Sequence, residues 1–169
     1  ASVSGSEAVA GLAQTFGVLG AALLALPLAR VALSKGRRAS LALGYGLGAL
    51  GALVVIAGAV WLNIALVLLG CLLVGVASAS GYQARYAAVD LAQEDKRGRQ
   101  LSYVVWAATI GAVLGPNLLQ PAGWLGLSLG LPELAGPYVV TAITLAIAVL
   151  VLLAFLRPDP YMLAAQMRA

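Results

Sequence analysis

A chain of 169 residues that is 62% hydrophobic and only 9% charged lacks the polar surface of a water-soluble domain, which usually carries about a quarter charged residues. A mean hydropathy of +0.99 makes the bilayer its solvent, and the net charge of +4 comes from basic connections between apolar runs, not from a nucleic-acid-binding face. With no His and one Cys, an internal disulfide, a Cys/His metal site and His-dependent catalysis are excluded.

The apolar runs are long, rich in Ala, Leu and Gly, and do not alternate, so they read as helices and not as barrel strands. A spanning helix needs about 20 apolar residues. The expected fold is therefore all-α, a polytopic transmembrane bundle of about five spans. Ser4 and Glu7 form a capping box that opens the first. That span is expected over residues 8–33, and Pro27 bends it. Ser34-Lys35-Gly36-Arg37-Arg38 is the first turn. The second span covers 39–60, with Gly44 and Gly48 at a spacing that lets another backbone approach closely.

Trp61-Leu62-Asn63 is a short turn with Trp61 at the interface level. The third span covers 64–91 and carries Arg85 and Asp90. The run from Gln93 to Arg99 is a second basic turn. The fourth span covers 100–119 and holds Gly111, Gly115 and Pro116. Pro121, Gly123, Trp124, Pro132 and Glu133 mark the longest connection, with residues 124–131 expected as a short interfacial piece. The fifth span covers 137–156. Arg157-Pro158-Asp159-Pro160 stops it, and 157–169 read as a cytoplasmic tail or the start of a linker.

Basic residues occupy every second connection: Lys35–Arg38, Lys96–Arg99 and Arg157. The connections at 61–63 and 120–137 contain no Lys or Arg. This pattern predicts an integral membrane protein with its first residues outside and its C-terminus cytoplasmic, expected in the bacterial inner (plasma) membrane. An outward start without an initiator Met is most simply repaired by a missing first span.

Arg85 is the leading functional candidate. A charge at membrane depth normally faces a bundle interior or a water-filled cavity, where it could bind an anionic solute group or tune a carboxylate. The alternatives are snorkelling to the interface or a structural pair with Asp90, although five residues is poor helical spacing for a pair. Gln14, Thr15, Gln83, Thr109 and Asn117 are polar groups within spans. They serve interhelical hydrogen bonds or the substrate pathway. Gly111, Gly115 and Pro116 serve close packing or gating.

The order of these features resembles the N-terminal half of a major facilitator superfamily transporter that lacks its first transmembrane helix. That family carries a turn of the form G-x-L-A-D-R-x-G-R-R. Residues 29–38 match it at Gly36, Arg37 and Arg38, while Leu33 and Ser34 replace the acidic and basic positions. Gly111-Ala112-Val113-Leu114-Gly115-Pro116 matches the G-x-x-x-G-P of family antiporters. The resemblance implies that Asp90 meets Arg37 or Arg38 as a conformational latch with Gly36, and that the G-x-x-x-G-P bend seals the pathway.

It further implies part of a secondary active transporter that moves a small solute by alternating access, as a proton-coupled antiporter of the efflux type. The alternative is a non-transporting membrane subunit or scaffold of a larger complex. An enzyme is not expected, since neither a nucleotide-binding loop nor a Ser/His/Asp set is present. No cofactor or metal is expected. The expected partners are lipid, a small solute, protons, and the missing helices or another membrane subunit, with no nucleic acid.

Overall fold

A computed structural model of the chain describes residues 7–89, 94–156 and 159. The described residues form five long helices: α1 (Glu7–Lys35), α2 (Arg37–Val60), α3 (Ile64–Val89), α4 (Arg97–Ser128) and α5 (Gly136–Phe155). All five are long and apolar enough to cross a membrane. Short 3-10 turns at Glu94–Lys96 and Glu133–Ala135 precede α4 and α5.

Glycine decides how the first three helices meet. Along α2, Gly44, Gly48, Gly51 and Gly58 are buried. A Cβ at any of them would collide with α3, at Ser80, Ala77, Leu73 and Val67 respectively. Gly44 and Gly48 thus make the close contact that their spacing predicts. Gly70 of α3 returns the contact against Val55 and Gly51. The α1–α3 crossing depends on Gly75, where a Cβ would strike the Gly17 backbone, and on Gly20, where it would strike Leu72. Leu28, Val76 and Ala79 form the apolar centre between these helices, with Ala21, Leu24 and Leu47 packed around it.

One polar knot crosses this centre. The buried Ser40 hydroxyl donates to the Leu28 carbonyl at 2.7 Å and lies 2.8 Å from the side-chain amide of Gln83. Three helices are joined through groups that hydrocarbon would otherwise leave without partners.

The fourth helix corrects the sequence reading. It does not end near residue 119, and residues 124–131 are not a separate interfacial piece. α4 continues through Pro116 and Pro121 to Ser128. The stop is a glycine cap. Gly130 has φ +72°, its N–H donates to the Leu127 carbonyl at 3.0 Å, and the Leu131 N–H donates to the Gly126 carbonyl at 2.9 Å. This is the left-handed C-cap arrangement, and Pro132 follows it. Near this end α4 packs on the start of α5: a Cβ on Gly136 would strike the Ala122 carbonyl. Between Arg97 and Pro121, by contrast, α4 is exposed along almost all of its surface.

Candidate functional site

α1 packs on α3 while α5 packs on α2 and on the far end of α4, and between them lies a cleft of about 1430 Å³. Its walls are α1 around Gln14–Ala21, α3 from Val67 to Tyr82, and the start of α5 at Pro137–Thr141. Leu62 and Glu133 line it at the end of the bundle opposite the basic turn, and Tyr82 is the lining residue furthest along α3. The walls are mainly apolar. Gln14, Ser78, Tyr138 and Thr141 interrupt them, and Glu133 is the charged member of the lining. The Cys71 thiol lies 4.0 Å from the Tyr138 hydroxyl across the α3–α5 wall.

Arg85 stands just past the Tyr82 end. Its guanidinium carbon lies 5.3 Å from the centre of the Tyr82 ring, the geometry in which a ring face attracts a cation. One turn on, Arg37 of α2 lies over Tyr86 at 5.8 Å. Tyr82 and Tyr86 are 61% and 60% exposed, and Arg85 is exposed beside them. Because α3 positions 82, 85 and 86 share one helical face, the sequence places two phenols and one guanidinium side by side. No described carboxylate pairs with Arg85.

The basic turn is built differently from its expected form. Gly36 adopts φ 89°, ψ 169°, a region essentially closed to residues with a Cβ. This conformation turns the chain from α1 into α2 and brings the first α2 amides onto Asp159. The Asp159 carboxylate accepts from the Arg37 N–H at 3.1 Å and from the Arg38 N–H at 2.7 Å. A Cβ on Gly36 would overlap that carboxylate. The Arg38 side chain reaches the other way and donates to the Leu153 carbonyl of α5 at 2.6 Å. Its Nε is buried with no hydrogen-bond partner.

The candidates from sequence are therefore dispersed. Gly36, Arg37 and Arg38 meet at the turn, with Asp159 as their carboxylate. Asp90, proposed for that role and for the pathway, lies outside the described residues. Gln83 is tied to Ser40 between α2 and α3. On α4, Thr109 and Asn117 donate to the carbonyls of Val105 and Val113 on their own helix. Thr109 also borders a small surface groove with Trp106 and Ile110. Gly111 and Gly115 pack against nothing among the described residues: a Cβ at either meets open space. The expected close packing there is not made by the described residues, and Pro116 beside them is exposed.

Asp159 and Glu133 were missed as functional positions. Asp159 stood in the sequence between two prolines just past the last span, the place from which a carboxylate can turn back onto a neighbouring helix start. Glu133 follows the Gly130–Pro132 stop, but its position at the cleft depends on tertiary packing. Among the described residues no three His, Cys, Asp or Glu side chains gather as a metal site would need.

A family model described as the Major Facilitator Superfamily matches residues 1–166. The chain is 42% identical over 156 residues to the uncharacterized MFS-type transporter YddS of Bacillus subtilis (strain 168), covering 92% of this chain and 36% of that protein. It is 39% identical over 165 residues to the uncharacterized MFS-type transporter YdeG of the same organism, covering 98% of this chain and 38% of the relative. The chain thus spans somewhat more than a third of the length of these relatives. No solved structure matches it.

Proposed function

Because the chain belongs to the major facilitator superfamily, we propose that it forms part of a secondary active transporter that moves a small solute by alternating access. In this reading the exchange is coupled to protons and runs as efflux, in a bacterial inner membrane. The observation that carries the transport reading is the family match over residues 1–166. Arg85, an exposed guanidinium one residue before the end of the apolar α3 stretch and next to a cleft residue, is the cation placed to meet a solute there. Transporters of this kind place their site between repeated halves, so in this reading the remainder of the protein completes the site. The α4 face around Gly111 and Gly115 is then a contact for the remainder of the protein, and the G-x-x-x-G-P resemblance to family antiporters is the support for coupling.

The test uses the full-length protein in proteoliposomes with an imposed pH gradient and a trapped pH dye. Organic anions, cations and neutral solutes are added in turn. Proton-coupled exchange predicts that at least one solute class speeds collapse of the gradient. Solute flux that leaves the gradient unchanged would keep transport and remove coupling. If no solute moves, the transport reading falls.

A further inference from the structure

We propose that the Tyr82–Arg85 end of the cleft binds a carboxylate group of an organic solute. The inference rests on the transport reading for its purpose, but its chemistry follows from the geometry alone.

Arg85 lies on α3 within the apolar stretch that ends at Tyr86. Arg37 of the basic turn reaches Tyr86, so the Arg85 guanidinium stands at the interface level, where water reaches it. The ring of Tyr82 meets one side of it at 5.3 Å, which holds the cation by its face and leaves the N–H edge available. No carboxylate among the described residues takes that edge. Tyr82 itself lines the cleft, so the cation is seated at the end of a cavity wide enough to admit a solute.

The class of ligand follows from charge and shape. One guanidinium balances one negative charge, which fits a monoanion better than a phosphate dianion. Its planar fork offers parallel N–H donors that match the two oxygens of a carboxylate. The apolar walls between Gly17 and Val74 suit an apolar body behind that head group. The neighbouring Arg37–Tyr86 contact adds a second positive field on the same side and so disfavours cations there. Glu133, the charged residue of the lining, belongs to the opposite end of the cleft.

The test is charge-selective labelling of the full-length protein in lipid nanodiscs, which needs no transport. Ser78→Cys, one turn before Tyr82 on the cleft wall, in a Cys71→Ala background is reacted with an anionic and a cationic methanethiosulfonate reagent. Arg85 should favour the anionic reagent, and Arg85→Gln should lower the anionic-to-cationic rate ratio by on the order of tenfold. Excess benzoate should slow labelling, while benzamide and benzylamine should not. Arg85→Lys should keep the rate ratio but lose most of the benzoate protection, because an ammonium lacks the fork. Failure of both reagents to react would place this face against lipid and overturn the site. A rate ratio unchanged by Arg85→Gln, or equal protection by benzamide, would overturn it too. The labelling result stands whether or not the same preparation moves solute, so loss of flux alone counts against the transport reading and not against the site.

Discussion

The Asp159 carboxylate accepts the Arg38 N–H at 2.7 Å, while the Arg38 guanidinium donates to Leu153 at 2.6 Å. Two helix ends are closed by one exchange: α2 receives an anion at its amino end, and α5 receives a cation at its carboxyl end. Both contacts satisfy terminal backbone groups that a helix cannot satisfy itself, and both have the sign that the helix dipoles favour. A stretch more than a hundred residues further along the chain thereby fixes the turn between α1 and α2.

Asp159→Ala should therefore destabilise the protein by about 0.5–2 kcal/mol, the usual range for a lost amino-terminal cap. Asp159→Asn keeps an acceptor oxygen and loses the charge, so it should fall between alanine and wild type. Thermal unfolding of the full-length protein in micelles, followed by thiol-reactive dye at Cys71, gives the ranking. Identical melting of all three proteins would remove the cap from the account.

Gly36 should be the least replaceable residue of the turn. At φ 89° and ψ 169° a side chain is strained by about 1–3 kcal/mol, and its Cβ would also overlap Asp159. Gly36→Ala should cost more than Asp159→Ala. The double variant should cost less than the sum, because removing the carboxylate relieves the overlap but not the backbone strain. Strict additivity in unfolding midpoints would mean that the two residues do not meet.

Much of the bundle was legible because hydrocarbon imposes simple rules. Long apolar runs had to be helices, and the small-residue spacing of Gly44 and Gly48 foretold a close contact that α3 makes. The end of α4 lies beyond Pro121, a residue whose type reads from sequence as part of a connection. In an apolar span the helix is kept as its own best source of hydrogen bonds, and the true stop is the residue that can take a positive φ. The site was less legible. Arg85 could be picked out by its cost in a membrane, but its seat on Tyr82 required the helical face. Asp159 at Arg38 is a contact across 121 positions, and no local pattern announces such a pair.

The topology expected from charge can be checked directly. Single cysteines replacing Ser34 and Glu133 in a Cys71→Ala background are exposed to an impermeant thiol reagent on intact cells. The basic turn should stay inside and the Glu133 turn outside. Labelling at position 133 and none at 34 is the expected result. The reverse pattern would invert the protein in its membrane and would put the Glu133 end of the cleft on the cytoplasmic side.

Glycines 75 and 115 offer the sharpest contrast in packing. A Cβ on Gly75 would strike the Gly17 backbone at the α1–α3 crossing, whereas one on Gly115 meets nothing among the described residues. Overfilling a tight contact typically costs about 1–3 kcal/mol, and backbone has less room to yield than a side-chain tip. Gly75→Ala should therefore lower the unfolding midpoint, and Gly75→Leu should abolish the folded monodisperse peak in detergent. In the 169-residue chain, Gly115→Ala should be neutral or slightly stabilising, since Ala favours helix over Gly by about 1 kcal/mol. Gly115→Leu should be tolerated there as well. In the full-length protein Gly115→Leu should become damaging if further helices cover this face of α4, because small residues then set the approach distance. Fluorescence-detected size exclusion of the four variants in both lengths separates these cases. Equal tolerance of leucine at 75 and 115 in the short chain would contradict the α1–α3 crossing, and tolerance at 115 in the full-length protein would leave that face of α4 to lipid.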